Sequence, residues 1–123
     1  MINTRKIPKI IKEWCNAIQK RNPKLMLSFY SSDAILLATY ESMCVGKKEI
    51  KDYFIKFLSN PKLQCSINKN FTQIDKTSGI VIASGLYTFS FKDKYGMKQV
   101  VKARYSYVIK NGYIINHHSS INP

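Results

Sequence analysis

From Leu63 to its end the chain is a series of period-two segments cut by short turn-forming stretches, and this pattern restricts the fold more than any other feature. The cuts are Lys76-Thr77-Ser78-Gly79, Lys92-Asp93-Lys94-Tyr95-Gly96 and Lys110-Asn111-Gly112, and each supplies the polar residues and glycine that turns require. Four segments joined in this way form an antiparallel meander, because a tight turn returns the chain beside the strand it has just left. The stretches Gly79 to Phe91 and Met97 to Lys110 are 13 and 14 residues long. Strands of that length twist and curl, and Gly85 within the first marks a bend.

The first half carries the helical period instead. Ile7, Ile10, Ile11, Trp14 and Ile18 predict an amphipathic helix from about Ile7 to Lys20, with Thr4 as a candidate cap and Pro8 tolerated in the first turn. Asn22-Pro23 reads as an N-cap followed by proline at the first helical position. It opens a short, nearly apolar helix through Leu27, Phe29 and Tyr30 that should be buried. Ser31-Ser32-Asp33 interrupts the pattern, and Ala34 to Tyr40 reads as a strand. Gly46 precedes a further amphipathic helix carrying Ile50, Tyr53, Phe54, Phe57 and Leu58, which Asn60-Pro61 stops. The predicted order is ααβαββββ: one α+β domain over residues 1–123, with three N-terminal helices on one face of a curved, mainly antiparallel sheet. Such a bent sheet closed by helices is expected to form a cone-shaped barrel around a cavity.

Composition narrows the classes of function. Apolar residues make up 45% of the 123, which excludes disorder as the main state. No apolar run approaches the roughly 20 residues of a membrane span, and the start lacks an apolar signal core. A cytoplasmic protein without a membrane partner is expected. The formal charge of +13 would attract nucleic acid, but 17 of the 20 basic residues are lysines spread over the whole length. Arginine, the bidentate reader of phosphate and guanine, occurs only at Arg5, Arg21 and Arg104. A generally basic solvated surface is therefore favoured over a nucleic-acid face. Cys15, Cys44 and Cys65 lie too far apart for a C-x-x-C metal pair and are read as small buried hydrophobes. His117 and His118 alternate across their strand and cannot share one metal ion, so neither metal nor cofactor is expected.

Several stretches resemble the nuclear transport factor 2-like superfamily, also described as cystatin-like or SnoaL-like, and within it bacterial relatives of the calcium/calmodulin-dependent protein kinase II association domain. They are Trp14 with Asn22-Pro23, Phe29-Tyr30, Ala34 to Tyr40, Gly46, Tyr53-Phe54, Gly85-Leu86-Tyr87, Ala103-Arg104-Tyr105, and His117-His118-Ser119-Ser120 with Pro123. The resemblance implies a homo-oligomer, at least a dimer built through the outer sheet face, and a conical pocket between sheet and helices. No kinase domain is present, so neither kinase activity nor calmodulin binding carries over. Of the arginines that line the association-domain pocket only Arg104 has a counterpart here; Leu86 and Ser120 take the places of others.

The hairpin at Lys110-Asn111-Gly112 decides which residues share the pocket. A two-residue loop pairs Lys110 with Tyr113 and sets Arg104 opposite Ser119; a three-residue loop pairs Ile109 with Tyr113 and sets Arg104 opposite His118. The second is favoured, because it puts Arg104 and Ser120 on one face, as the family's paired pocket arginines require. The pocket set is then Arg104, His118 and Ser120, walled by Tyr40, Tyr53 and Trp14. The opposite face, with Tyr105, Tyr107, Ile115 and His117, becomes the expected oligomer surface. An arginine buried in a pocket invites a small anionic or polar ligand. The rival is a SnoaL-like isomerase, cyclase or hydrolase using His118 with Glu41 or Tyr40. It is weakened because most of the seven acids sit at turns or on helix flanks, and because no nucleophile elbow accompanies Ser119 or Ser120.

Overall fold

Asn22 shows how local chemistry sets the helical half. In the computed structural model, which describes residues 1–41 and 43–123, its side chain accepts hydrogen bonds from the amides of Lys24 (3.0 Å) and Leu25 (3.3 Å), with Pro23 at the first helical position. The helix it opens, α2 (Pro23–Leu27), is shorter than expected and buries only Met26, because the chain is already extended at Tyr30. Before it, α1 (Lys9–Ala17) tightens into a 3-10 turn over Ile18–Lys20. Ile11, Trp14, Cys15 and Ile18 form its buried stripe, as the spacing predicts. Thr4 does not cap this helix; its hydroxyl accepts from the Lys6 amide instead. Arg21, left-handed at φ 54°, ends the 3-10 turn. Its guanidinium donates to the carbonyls of Leu58 (2.7 Å) and Ser59 (3.1 Å). Those carbonyls belong to the end of α3 (Gly46–Phe57), where unsatisfied acceptors and the helix dipole favour a cation.

The sheet has seven strands in the order β1-β4-β5-β6-β7-β2-β3 and is curved but open, not a closed barrel. The four long strands are the expected meander: β4 (Gln64–Asp75), β5 (Ile80–Lys92), β6 (Lys98–Lys110) and β7 (Tyr113–Ile121). β2 (Tyr30–Leu37) takes in Ser31-Ser32-Asp33 and runs parallel to β7. Two short edge strands, β1 (Ile2–Thr4) and β3 (Met43–Val45), have too few residues for a readable period. α1 packs over β4, and α3 lies against β2. The core occupies the face between helices and sheet, where Ala83, Tyr87, Phe89, Ala103, Tyr105, Tyr107 and Ile114 all turn inward.

The β6–β7 hairpin departs from the favoured register. Asn111 and Gly112 both have positive φ, 53° and 79°, and form a two-residue loop with Lys110 paired to Tyr113. A shift after Ile109–Ile114 then adds one residue to β7, so Arg104 lies opposite Ser120, not opposite Ser119 or His118. The extra residue keeps Arg104, His118 and Ser120 on a common face despite the shorter loop. It also separates Ile115, half-buried at the bulge, from the buried His117.

Gly85 sits at the bend. A side chain there would collide with the carbonyl of Lys69, beside a bulge in β4, and with the Tyr105 hydroxyl. Tyr105 is paired with Gly85, and its hydroxyl donates to Asn70 Oδ1 at 2.7 Å. The Asn70 amide in turn donates to Thr72 Oγ1 (2.8 Å), and the Thr72 hydroxyl to the Lys6 carbonyl (2.8 Å). This polar seam ties the segment before α1 onto β4. No helix among the described residues is long and apolar enough to cross a membrane.

Candidate functional site

Energy decides which face of β6 turns inward. Burying Tyr105 and Tyr107 gains about 1.5–3 kcal/mol each, whereas burying an unpaired arginine costs several. The aromatic set accordingly faces the helices: Tyr105, Tyr107 and His117 are 3%, 0% and 2% exposed. Arg104 and His118 are exposed on the outer face, and Ser120 is half-buried beside them. This reverses the sequence-based assignment. Tyr105, Tyr107 and His117 belong to the interior and offer no oligomer surface, while Arg104, His118 and Ser120 lie outside the cone. Arg104 keeps its solvent and needs no ligand to satisfy its guanidinium. Trp14, Tyr40 and Tyr53 do line the interior cavity.

That cavity has a volume of about 410 Å³ and no lysine, arginine, aspartate or glutamate in its wall. Tyr53 and Phe57 stack at 5.6 Å on its α3 side, and Phe57 meets Phe89 edge to face at 5.2 Å. Polar groups come from Thr39, Asn60, Gln99, His117 and Ser119. The sequence reading did not select Thr39, Asn60, Gln99 or Ser119 as ligand contacts. The legible signal was the alternation in Tyr105-Ser106-Tyr107, which points the larger apolar area inward and brings His117 and Ser119 with it.

His117 is held at both nitrogens. Tyr30 Oη lies 2.8 Å from Nδ1, and Tyr87 Oη lies 3.1 Å from Nε2. The Trp14 indole donates to Tyr30 Oη at 3.0 Å, and Tyr107 stacks on the imidazole at 4.0 Å. Burial, with a smaller contribution from the neighbouring His118, pushes the His117 pKa down to about 3. The ring is neutral at physiological pH and has no free lone pair for an incoming proton. Burial also raises the phenol pKa of Tyr30, Tyr53, Tyr87 and Tyr107, so these hydroxyls stay protonated. Glu41, a candidate acid, pairs with Lys56 at 3.6 Å, and Asp33 is exposed and accepts from the Ser31 hydroxyl.

On the outer face, Arg5, Lys69, Arg104 and His118 line an open groove of about 520 Å³ with Ser84, Ser106 and Ser120. Arg104 Nε donates to Ser120 Oγ at 3.2 Å, and the Arg5 guanidinium lies 5.9 Å from the Phe71 ring centroid. No carboxylate lines this groove. Among the described residues no group of three or more His, Cys, Asp or Glu side chains could hold a metal ion. Cys15 and Cys65 share a thiol hydrogen bond that lowers the first pKa and raises the second; Cys44 is the buried middle residue of β3.

Comparison with known proteins agrees with this architecture. A protein described as a calcium/calmodulin-dependent protein kinase II association domain from Xanthomonas campestris is 30% identical and superimposes with a TM-score of 0.85, covering 100% of this chain and 98% of its own. A Catenulispora acidiphila protein with a ketosteroid isomerase-like fold, solved with trimethylamine, is 12% identical at a TM-score of 0.78, covering 95% of this chain and 88% of its own. A Sinorhizobium meliloti protein described as a polyketide cyclase is 15% identical at a TM-score of 0.71, with coverages of 93% and 95%. These last two likenesses concern the fold alone, which is nuclear transport factor 2-like. A search of curated proteins finds no match. The family model for the calcium/calmodulin-dependent protein kinase II association domain matches residues 3–123, and the chain belongs to that family.

Proposed function

We propose that this protein is a binding protein whose cone cavity takes a small, neutral, largely aromatic molecule, and that it acts without proton-transfer catalysis. The observation that carries this reading is an aromatic cavity of about 410 Å³ with polar groups but no charged side chain in its wall. The isomerase, cyclase and hydrolase alternatives require an acid or base, and the imidazole in the cavity wall, that of His117, is neutral with both nitrogens engaged. The anionic ligand expected from Arg104 has no support inside the cone, because Arg104 faces outward. Native mass spectrometry of protein purified from its own host tests the reading. A bound small molecule is expected, and Ala38→Phe, which fills the cavity from its wall, should remove it. Retention of the same molecule by the folded Ala38→Phe protein would count against the cavity.

Self-association is the second part of the proposal. Membership of the association-domain family supports it, and the outer sheet face is the surface left for it once Tyr105, Tyr107 and His117 are assigned to the core. Phe71 is exposed and Leu86 half-buried there, beside Arg104 and His118. Light scattering is expected to give a mass of at least a dimer, and Leu86→Asp should lower it. A monomer at all concentrations would exclude this part.

A further inference from the structure

We propose that the outer groove binds the phosphate group of a small monoester, with Lys69 and Arg104 facing its charge and a hydroxyl of Ser84 or Ser106 donating to it. The proposal does not rest on the cone cavity; it gives a ligand to the opposite face of the sheet. Strand register builds the site. Phe71 pairs with Ser84, Ser84 with Ser106, and Ser106 with His118, so these four side chains form one rung across β4, β5, β6 and β7. Lys69, Leu86, Arg104 and Ser120 form the next rung through the same pairings. The two rungs are two residues apart along every strand, so both point to the outer face.

Side-chain size then shapes the groove. Short serines stand at its centre, while Lys69 on β4 and Arg104 on β6 are two strands apart, about 10 Å at the usual strand spacing. Both side chains are long enough to reach one ligand seated over the serines. The Ser84 and Ser106 hydroxyls lie 3.5 Å apart, and whichever of them donates to the other, one hydrogen is left over. Arg104 is turned by the bond from Nε to Ser120 Oγ, and its terminal amino groups have no hydrogen-bond partner among the described residues. Arg5, over the Phe71 ring, and His118, at the far end of the serine rung, add donors on either side. Neither Arg5, Lys69 nor Arg104 belongs to an ion pair among the described residues, and no carboxylate lines the groove to compete for them. A single carboxylate could match one guanidinium fork. A phosphate monoester carries a charge of about −1.5 to −2 and three acceptor oxygens, which suits several cations and a hydroxyl at once.

Glycerol phosphate tests this, titrated into isotope-labelled protein while amide chemical shifts are followed. Ionic strength is held constant with sodium chloride, and the protein concentration is one at which light scattering gives the same mass for every variant. Saturable shifts centred on Ser84, Ser106 and Arg104 are expected. Arg104→Gln should weaken binding about tenfold, the worth of a hydrogen bond to a charged group. Lys47→Gln removes the same charge from an exposed position at the start of α3 and should leave the affinity unchanged. Shifts scattered over the lysine-rich surface, a titration that does not saturate, or equal weakening by the two substitutions would overturn the site. Both the cavity and the self-association readings would then stand as before. A short DNA duplex that displaces the ester and binds more tightly would give the groove to nucleic acid and overturn the small-ligand proposal.

Discussion

Arg104 and Tyr105 are neighbours in sequence and opposites in environment, one in solvent and one in the core. Their alternation was legible in the sequence; the direction of the alternation was not taken from burial energetics but from a family correspondence, and it came out reversed. His117 shows the cost of the interior side. Its folded pKa of about 3 lies below the unfolded value of 6.5, so below about pH 6.5 the unfolded chain takes up a proton that the folded protein refuses. Stability contributed by this residue is full above that pH and falls as the solution is acidified toward the folded pKa, by about 1.4 kcal/mol per pH unit within the window. Urea unfolding between about pH 6.5 and pH 5 should therefore show a steeper loss in the wild type than in His117→Gln, and parallel curves would refute it. Gly85 offers a second test. Gly85→Ala forces a methyl group against a backbone carbonyl and the Tyr105 hydroxyl, and chemical denaturation should register a loss of about 3 kcal/mol.

Among the elements, those with strong periods or explicit punctuation were readable. The α1 stripe, the Asn22-Pro23 cap and the four-strand meander depend on contacts close in sequence, and local residue types determine them. Asn22→Ala should cost about 1 kcal/mol, seen as a lowered unfolding midpoint, because two amides lose their acceptor. What escaped the sequence depends on distant partners. β1 pairs with β4 and β3 with β2, and three residues alone carry no recognisable period. The bulge in β7 is compensated across the sheet, so turn type alone gave the wrong opposite residue while still grouping Arg104 with Ser120. Ser31-Ser32-Asp33 reads as a break, yet it lies in β2, where the parallel pairing with β7 is irregular between Tyr30 and Ile35. Cavity-lining residues were half legible for the same reason: Trp14 and Tyr53 stand on helices with clear patterns, whereas Ser119 required the register and Thr39 and Tyr40 lie in the turn after β2.

At the scale of the whole molecule the two faces of the sheet have opposite chemistry. The inner face is aromatic and neutral, and the outer groove is cationic and hydroxyl-rich. Among the described residues the ion pairs lie away from the outer groove, at Lys9–Glu13, Lys48–Asp52 and Lys56–Glu41. A two-fold contact between copies through the outer face brings each groove against its own image, and with it Arg5, Lys69 and Arg104 against the same cations. Charges of one sign approaching within the Debye length of about 8 Å at physiological salt repel, and added salt shortens that reach. Self-association through this face should then strengthen as sodium chloride is raised, the reverse of an assembly held by ion pairs, and a dimer that dissociates with salt would have to use another surface. The missing carboxylates thus give the outer face a colloidal character: the ionic strength of the surroundings would govern how closely two copies can approach.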